Sequence, residues 1–388
     1  MGRVHVVGAA LRPLVVLGAT GSIGSQTLEV ADRLGNPVVA LAAGRASAAL
    51  AELADRYPEA RIVAASPPAP DARSAFAGRL EIGSDAVVDA ASMPGAIVVN
   101  GIVGAAGLSA SVAALDAGNR LALANKESLI SGGPLVAAAL ASGGGELIPV
   151  DSEHSAIWQC LMGEELAGVR RVILTASGGP FRGRSALDLE SVTVAEALAH
   201  PTWAMGRRIS IDSATLMNKA FEVIEAHFLF ALDFDRIDVV VHPQSFVHSF
   251  VEFVDGVIKA EVGPPDMRKP IQFAITEPDR VPAPVRSIGL VGTTISFEEP
   301  DREAFPALDL GYTAGCRGGN APAVLNAADE VAVEAFLQER IPFPAIPDVV
   351  AYALESVPHR ELESIEDVSV SDRLGREAAA RAVGRMPR

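Results

Sequence analysis

A short apolar run followed at once by three glycines and a helical pattern constrains this chain more than any other feature. The stretch is LVVLGATGSIGSQTLEVADRL, residues 14–34, and its glycines are Gly18, Gly21 and Gly24. They permit a tight turn between a strand and a helix, where free N–H groups at the helix start attract a pyrophosphate. Their spacing departs from the usual G-x-G-x-x-G, so a strand-to-helix turn that binds nothing stays an alternative.

The first third of the chain repeats this alternation of short apolar strands and helix-length segments. The runs that follow the glycine turn are PVVALAAGR, DAVVDAAS, AIVVNGIVG and RLALANKESLI. Buried strands separated by helices are typical of a parallel sheet that is covered on both faces. We therefore predict an α/β fold that begins with a Rossmann-like domain over residues 1–150.

Beyond residue 150 the pattern changes to that of an α+β domain. The strand-like runs RRVILTAS, RIDVVV and FVHSFVEFVDGVIKAEV accompany one strong helical stretch, TLMNKAFEVIEAHFLF. Alternation around Asp255 and Gly256 indicates a hairpin in an antiparallel sheet with one covered face. We predict a central α+β domain over residues 151–285, a connector rich in Pro and Gly over 286–312, and a helical C-terminal domain over 313–388.

Composition excludes several classes of partner. The net charge of −16 argues against nucleic acid and anionic membranes, because both are bound by clustered Lys and Arg. Every long apolar run is interrupted before the ~20 residues that a bilayer span needs, so no transmembrane segment is expected. The N-terminal stretch lacks a cleavage-type boundary, so no targeting segment is expected either. Cys160 and Cys316 are too few for a disulfide framework, and a reducing cytoplasm is the expected location.

The second strand-like run ends with an indication of the cofactor. A chain that binds NAD usually has an acidic residue about 20 residues beyond the glycine turn, whereas this chain has AAGRAS with Arg45 there. A cation suits a 2′-phosphate, so we expect NADP(H). The alternative for Arg45 is a solvated loop charge.

Two carboxylates lie close together in IPVDSEHSAIWQC, residues 148–160. In an extended segment Asp151 and Glu153 would point the same way, and their oxygens would suit Mg²⁺ or Mn²⁺. The alternative is a helix start, with Asp151 or Ser152 as the cap and Glu153 in the first turn. Considered in isolation, the stretch favours the helix start.

A second polar segment makes the metal site plausible. It is HPTWAMGRRISIDSATLMNKAFEVIEA, residues 200–226, and its helix carries Asn218, Glu222 and Glu225 on neighbouring turns. Glu222 can therefore supply a third carboxylate. The sequence predicts a divalent-metal site.

The same segment supplies donors for a phosphate. Ser213 precedes the helix, Asn218 and Lys219 lie one turn from Glu222, and Ser177 follows a strand in LTASGGPFR. Hydroxyls, an amide and an ammonium are the donors that a phosphate monoester needs. Turn capping is the alternative for each serine.

Nine stretches in order along the chain resemble one family, the 1-deoxy-D-xylulose 5-phosphate reductoisomerases. They are LGATGSIGSQTL, NGIVGAAGL, LANKESLI, DSEHSAIWQC, LTASGGPFR, HPTWAMGRRISIDSATLMNKAFEVIEAHFLF, HPQSFVHSFVEF, GPPDMRKPI and NAADEVAVEAFL. The resemblance implies an NADPH- and divalent-metal-dependent enzyme of the non-mevalonate isoprenoid pathway, and a homodimer. Such an enzyme rearranges the carbon skeleton of 1-deoxy-D-xylulose 5-phosphate and reduces the resulting aldehyde to 2-C-methyl-D-erythritol 4-phosphate.

The resemblance also implies roles for individual residues. The implied metal ligands and catalytic carboxylates are Asp151, Glu153 and Glu222, and Lys126 is the fourth catalytic residue. The implied substrate contacts are Lys126, Ser152, Glu153, Ser177, His200, Trp203, Ser213, Asn218, Lys219 and Glu222. The implied cofactor contacts are Thr20, Gly21, Ser22, Ile23, Gly44, Arg45, Ala46, Asn125, Glu127, Met205 and Gly206. In this scheme HPTWAMG is a mobile lid that excludes water.

Four positions depart from the family pattern. Ala46 stands where Asn is common, so only its backbone can contact the cofactor, and this puts cofactor affinity in doubt. Arg208 replaces a frequent Lys, Ala220 a frequent Gly, and Asp329 a usual Asn. None of the four is an implied metal or phosphate ligand.

The remaining imidazoles and the thiol are expected to be structural. His242, Ser245 and His248 match the family, but a His on a half-buried strand is more often a hydrogen-bonded structural residue than a catalyst. His154 has no firm role. Cys160 is expected to be a small buried hydrophobe.

Two other functions remain open at this point. An NADP-dependent semialdehyde dehydrogenase would need a thiolate nucleophile, for which Cys160 is the candidate. A regulator that senses NADP would bind the cofactor without turnover and without a metal.

Overall fold

The structure is a computed structural model that describes residues 11–68, 76, 78–203 and 205–386. Contacts divide the chain into two compact units. The first comprises Met1–Ser128, Leu135–Ser155 and Asp266–Ser287, and the second comprises Leu129–Pro134, Ala156–Pro265 and Ile288–Arg388, so far as these ranges are described. The division predicted from sequence, at residues 150, 285 and 312, stays a prediction about functional parts.

The first unit is built on a seven-stranded sheet. Its strands are β1 (Leu14–Leu17), β2 (Val38–Arg45), β3 (Arg61–Ser66), β4 (Leu80–Ile82), β5 (Ile97–Asn100), β6 (Arg120–Leu123) and β7 (Glu146–Pro149). Their order is β4-β3-β2-β1-β5-β6-β7, and every pair is parallel. The predicted Rossmann-like parallel sheet is confirmed.

Helices connect these strands, as parallel pairing requires. They are α1 (Ser22–Leu34), α2 (Ala48–Arg56), α3 (Ser84–Ala91), α4 (Leu108–Asp116), α5 (Lys126–Gly143) and α6 (Ser152–Leu161). The last two include residues of both units. A later helix, α11 (Arg268–Thr276), belongs to the first unit and packs against α1.

The strand order defines a switch point at the carboxyl ends of β1 and β5. The chain moves outward from β1 to β4 and then returns to place β5 on the other side of β1. The loops after β1 and β5 meet there, because a Cβ on Gly18 would collide with the carbonyl oxygen of Gly101. Open α/β sheets bind ligands in this crevice.

The second unit contains a four-stranded sheet. Its strands are β8 (Val169–Ala176), β9 (Ile237–Val241), β10 (Val247–Phe253) and β11 (Ile258–Val262), in the order β11-β10-β8-β9. The predicted hairpin is confirmed between β10 and β11, where the backbone N–H of Val257 donates to Asp255 Oδ1 over 3.0 Å.

The predicted antiparallel pairing is present for β10 with β11 and with β8, but the sheet is mixed because β8 and β9 pair in parallel. A long helical crossover separates these two strands, and such a connection permits parallel pairing. The prediction of one covered face also fails for β10, in which only Phe250 is half-buried and the other six residues are buried. As an inner strand, β10 has neighbours on both edges.

The remaining helices belong to the second unit. They are α7 (Ala186–Leu189), α8 (Val194–Leu198), α9 (Arg207–Thr215), α10 (Met217–Phe230), α12 (Ala307–Arg317), α13 (Ala321–Leu337), α14 (Ala345–Ser356) and α15 (Ile365–Val383). One apolar core includes residues of α9, α10 and α12–α15 together with the inner side chains of β8–β10. The helices predicted after the connector are therefore present, and they share a core with the second sheet.

Among the described helices, none is both long enough and apolar enough to cross a bilayer.

We predict that Gly18→Ala lowers the free energy of unfolding by roughly 2–4 kcal/mol. Gly18 has a φ of 78°, and the added methyl group would meet the backbone of Gly101. Gly44→Ala is the matched control, because nothing lies within 4 Å of its Cβ position. Urea denaturation measures both, and equal stability of the two variants would contradict this account of the turn.

Candidate active site

The glycine turn leaves the start of α1 accessible. Gly21 is the N-cap of α1, and Thr20, Gly21 and Ser22 are exposed while Ile23 is half-buried. Gly24 has to be glycine, because a Cβ there would collide with the backbone of Gly18 and Ala19. The first N–H groups of α1 therefore face a position that an anion can occupy.

The cationic loop lies on the neighbouring strand. β2 pairs with β1 and ends at Arg45, and Gly44 and Arg45 are both exposed. Ala46 is buried, and Ser47 then caps α2 by accepting the N–H of Leu50. The side chain of Arg45 is thus exposed. The buried side chain of Ala46 is a methyl group, so this residue can contact a ligand only through its backbone.

Lys126 and Asp151 meet at the same carboxyl edge of the sheet. Asn125 caps α5, so Lys126 is the first residue of that helix, directly beyond β6. Asp151 follows β7, the parallel neighbour of β6. Lys126 Nζ lies 3.2 Å from Asp151 Oδ2, and both side chains are largely buried.

The stretch around Asp151 is a helix start, which is the reading that the stretch in isolation favours, and the extended alternative does not hold. α6 begins at Ser152, and Asp151 Oδ1 accepts the backbone N–H of Glu153 over 3.2 Å. This is the geometry of an N-cap, which explains why two acidic groups are tolerated here. Carboxylate oxygens of Asp151 and Glu153 still lie within 4.8 Å of each other.

Two neighbours complete this acidic helix start. Ser152 Oγ donates a hydrogen bond to the Glu153 carboxylate. His154 is fully buried, with Nδ1 3.7 Å from Asp151 Oδ1. The first unit thus brings Lys126, Asp151, Ser152 and Glu153 together.

In the second unit, Glu222 is held by two donors from the preceding turn of α10. Asn218 Nδ2 donates to Glu222 Oε1 over 2.6 Å, and Lys219 Nζ forms an ion pair with Glu222 Oε2. Lys219 and Glu222 are 3% and 1% exposed. A buried charge is tolerated only when it is paired and hydrogen-bonded, and this arrangement meets that condition.

A sharp reversal places Asn218 and Lys219 in the first turn of α10. Leu216 has a φ of 64°, ends α9 and caps the start of α10. A left-handed conformation is uncommon for a leucine, and the side chain is buried, which anchors the reversal. Two polar side chains and the N–H groups of a helix start therefore lie together.

Ser177 and His200 form a hydrogen-bonded pair in the same unit. His200 Nδ1 accepts the backbone N–H groups of Thr202 and Trp203, at 3.2 and 3.0 Å. Its Nε2 must then carry the proton and donate to Ser177 Oγ over 2.9 Å. Burial lowers the pKa of His200, which favours this neutral form.

Ser177 is left with a hydrogen to donate. Its oxygen accepts from His200 and also from the N–H of Gly179 over 3.2 Å. A Cβ on Gly179 would come within 2.8 Å of the carbonyl oxygen of Ser213, so the turn after β8 packs against α9. The structure therefore brings Ser177 and His200 together and places the backbone of Ser213 beside their turn.

Trp203 of the predicted lid lies beside the second sheet. The ring centroids of Trp203 and His248 lie 6.4 Å apart, and His248 is buried. Met205 and Gly206 lead into α9, with Gly206 as its N-cap. Contact of Met205 and Gly206 with a cofactor stays a prediction.

His242 has the structural role expected of it. Nδ1 donates to the carbonyl oxygen of Ser296 over 2.9 Å, and Nε2 accepts the N–H of Phe246 over 3.1 Å. Burial lowers the pKa of this imidazole. Ser245, with a φ of 51°, makes the turn between these partners.

Cys160 is a buried residue of the apolar core, as predicted. A nucleophilic thiolate needs an accessible, electropositive site, which an apolar core does not supply. This location argues against a dehydrogenase that acts through Cys160.

Two of the departures from the family pattern contact each other. Arg208 lies 3.3 Å from Asp329, 2.9 Å from Glu330, 3.6 Å from Asp212 and 2.7 Å from the amide oxygen of Asn326. Asp329 is fully buried, and burial raises its pKa to about 6 although Arg208 opposes the shift. An arginine that reaches several acceptors suits a carboxylate at position 329.

The third departure also has a packing partner. A Cβ on Gly311 of α12 would come within 2.5 Å of Ala220 Cβ. Ala220 therefore fits because the residue that faces it has no side chain.

Sequence reasoning missed a buried polar group at the end of β5. Asn100 is fully buried and bonds to Ser111, whose hydroxyl contacts the hydroxyl of Ser128. The Ser128 hydroxyl in turn donates to Asn125. The signal was present, since an asparagine that ends the apolar run IVVN needs partners when it is buried.

A glycine turn at the switch point of a parallel sheet, with a lysine and carboxylates at the same edge, defines a dinucleotide-dependent α/β enzyme. The family profile for 1-deoxy-D-xylulose 5-phosphate reductoisomerase matches residues 14–133, and profiles for its C-terminal domain match residues 147–230 and 262–378. The chain belongs to the 1-deoxy-D-xylulose 5-phosphate reductoisomerase family, which confirms the resemblance.

Relatives match along nearly the whole chain. The reductoisomerase of Caulobacter vibrioides is 49% identical over 93% of this chain and 91% of its own. A solved reductoisomerase from Zymomonas mobilis, in complex with NADPH, is 42% identical with a TM-score of 0.90 and covers 97% of this chain and 100% of its own. Another, in complex with NADPH, fosmidomycin and magnesium, is 36% identical with a TM-score of 0.87 over 96% of this chain and 98% of its own.

We predict that Asp329→Asn removes a pH dependence from the free energy of unfolding. A carboxyl whose pKa rises from 3.8 to about 6 on folding destabilises the native state once it ionises. The wild type should therefore lose stability relative to the variant as the pH rises from about 4 to about 6, with a constant difference above. Urea denaturation across this range measures the difference, and a difference independent of pH would refute the shifted pKa.

Proposed function

We propose that this chain converts 1-deoxy-D-xylulose 5-phosphate to 2-C-methyl-D-erythritol 4-phosphate, with NADPH and a divalent metal ion, in the non-mevalonate isoprenoid pathway. The observation that carries the proposal is the match of almost the entire chain to this family, including a solved member in complex with NADPH and magnesium. The Lys126–Asp151 pair and the Asn218–Lys219–Glu222 group are the reactive side chains that such a reaction needs.

The first unit is proposed to bind NADPH, which supplies the hydride. Thr20, Gly21, Ser22 and Ile23 would take the pyrophosphate at the start of α1, where N–H groups and the helix dipole favour an anion. The exposed Arg45 would pair with the 2′-phosphate, next to the backbone of Gly44 and Ala46. We propose that the nicotinamide end of the cofactor is contacted by Asn125, Glu127, Met205 and Gly206.

Asp151, Glu153 and Glu222 are the proposed ligands of the metal ion. The carboxylates of Asp151 and Glu153 lie within 4.8 Å of each other, and oxygen donors suit Mg²⁺ and Mn²⁺. When bound, such an ion stabilises negative charge that develops on substrate oxygens. Glu222, which is held by Asn218 and Lys219, would be presented to it in one fixed rotamer.

The substrate phosphate is proposed to bind to the second unit. Ser177 has its hydroxyl hydrogen available, and Ser213 lies on α9 beside the same turn. Asn218 and Lys219 lie at the start of α10, where helix N–H groups add to the ammonium charge. A phosphate would thus meet hydroxyl, amide and ammonium donors.

The sugar is proposed to contact Lys126 and Ser152 at its reacting end. The Lys126 ammonium, beside Asp151, can donate to a substrate oxygen and stabilise its growing charge. His200 and Trp203 are the proposed lid contacts. Because the N–H of Trp203 donates to His200 and His200 donates to Ser177, a change in the lid would act directly on a phosphate donor.

Metal dependence tests the proposal. Purified protein should oxidise NADPH in the presence of 1-deoxy-D-xylulose 5-phosphate and Mg²⁺ or Mn²⁺, and EDTA should abolish the absorbance change at 340 nm. Added metal should restore it. Oxidation that EDTA leaves unchanged would contradict the proposed role of the three carboxylates, and a regulator would show binding without oxidation.

Glu222→Gln is predicted to reduce kcat about 100- to 1000-fold, because it removes a charge on which both the metal ion and Lys219 depend. Glu252→Gln is the control, since Glu252 is a buried, ion-paired glutamate of the same unit with no proposed contact to substrate. Steady-state kinetics at saturating metal measures both. Equal losses in the two variants would point to a general structural effect.

We propose that the protein forms a homodimer through β11. This strand ends the order of the second sheet, and Ile258, Ala260 and Val262 on one of its faces are exposed or half-exposed. An exposed apolar edge strand favours pairing with a second copy of the same edge.

Light scattering after size exclusion should give a dimer for the wild type and a monomer for Ile258→Asp. Leu187→Asp, at an exposed apolar residue of α7, should stay dimeric. A monomeric wild type would contradict the dimer, and a dimeric Ile258→Asp would move the interface away from β11.

We propose a cytoplasmic location. Neither Cys160 nor Cys316 forms a disulfide, and Cys316 is exposed. An exposed, unpaired thiol is kept reduced in the cytoplasm. Cell fractionation with an antibody against the chain tests the location.

A further inference from the structure

Asn100 is a fully buried polar residue at the carboxyl end of β5, where the rest of the strand is apolar. All of its amide positions are used. Oδ1 accepts the N–H of Ile102 over 3.2 Å, and Nδ2 donates to the carbonyl oxygen of Gly107 and to Ser111 Oγ, at 2.9 and 2.8 Å. A buried asparagine with so many specific partners fixes the conformation of the loop that follows it.

The hydrogen bonds continue in one direction from Asn100 to Asn125. Asn125 Oδ1 accepts the backbone N–H of Ser128 over 3.1 Å, and the Ser128 hydroxyl donates to the same oxygen. Since a hydroxyl has one hydrogen, the Ser111 hydroxyl must donate to Ser128 Oγ, 3.0 Å away. Asn100 therefore donates to Ser111, Ser111 donates to Ser128, and Ser128 donates to Asn125.

At the far end, the Asn125 amide holds two backbone segments. Its Nδ2 shares two hydrogens among three acceptors: the carbonyl oxygens of Ile102 and Gly104, at 2.7 and 3.0 Å, and Glu127 Oε2 at 2.8 Å. Asn125 is also the N-cap of α5. The packing leaves no spare room, because a Cβ on Gly107 would lie 2.5 Å from Asn125 Oδ1.

These two segments belong to the proposed machinery of the first unit. The first residue of α5 is Lys126, which pairs with Asp151. The loop over residues 101–104 packs against the glycine turn at Gly18. A shift of the Asn125 amide would move both the lysine and the loop beside the cofactor turn.

We propose that Asn100 is a positioning residue for the reaction: through Ser111 and Ser128 it orients the Asn125 amide, which sets the start of α5 with Lys126 and the loop at the cofactor side. This inference rests on the proposed function. Asn100 itself is not among the proposed contacts of substrate or cofactor.

The test compares Asn100→Ala with Asn119→Ala. Asn119 is also fully buried in the first unit, where it bonds to the N–H of Ala96 and the carbonyl oxygen of Ala91, at 3.1 and 2.9 Å. It directly precedes β6 and so lies at the amino ends of the strands, away from the proposed site. Both variants should lose a similar amount of thermal stability. Only Asn100→Ala should weaken NADPH binding, measured by cofactor fluorescence, and lower kcat, each about tenfold or more.

A double-mutant cycle with Ser128→Ala separates a connected network from independent effects. Both single variants interrupt the same series of hydrogen bonds, so the double variant should be barely worse than either one. If Asn100→Ala fails to fold, Ser111→Ala replaces it in the cycle.

Three outcomes would overturn the proposal: NADPH affinity and kcat within about twofold of wild type in Asn100→Ala or its replacement Ser111→Ala, equal kinetic losses in Asn119→Ala, or strict additivity in the cycle. Failure of the proposed function is distinguishable, because wild-type protein would then oxidise no NADPH. In that case NADPH affinity and hydrogen exchange at residues 102–104 would still show whether Asn100→Ala differs from Asn119→Ala.

Discussion

Complete burial of the inner strands of the parallel sheet is the constraint on which the rest of the first unit depends. β1, β5 and β6 are buried at every residue, so their backbone groups bond to neighbouring strands. Their side chains are apolar and pack, except for Arg120 at the start of β6 and Asn100 at the end of β5. Polar chemistry is therefore confined to the strand ends and the loops that follow them. The glycine turn, Asn125–Lys126 and Asp151 all lie at one such edge because parallel strands end together.

The second unit depends on a different device, which is the pairing of buried charges. Lys219 and Glu222 are nearly inaccessible, and each would be costly alone. Arg208 plays a similar part for Asp329 and Glu330, and it joins α9 to α13. Such pairs add little net stability but fix side-chain positions, because breaking one leaves an uncompensated charge. Fixed carboxylates and ammonium groups are what a metal ion and a phosphate require.

The sequence was sufficient where a residue's role is local. The glycines at 18–24 predicted the turn, and Asp255–Gly256 predicted the hairpin, because backbone freedom and turn chemistry act over a few residues. It was insufficient where pairing is long-range: the parallel β8–β9 pair and the burial of β10 depend on which strands become neighbours. For Asp151, the local capping rule favoured a helix start, and the structure has one. Asn100 was missed because its side-chain partner Ser111 lies 11 residues away in another element, and Ser111 pairs with Ser128, a further 17 residues along the chain.

The central claim is that one chain both rearranges a sugar phosphate and reduces it with NADPH. The most direct measurement is the identity and stoichiometry of the products, by NMR of the carbon skeleton and by absorbance of the cofactor in the same sample. The account predicts one branched 2-C-methyl-D-erythritol 4-phosphate for each NADP⁺ formed. NADP⁺ formation with an unbranched sugar product, or a branched product without NADPH oxidation, would contradict it.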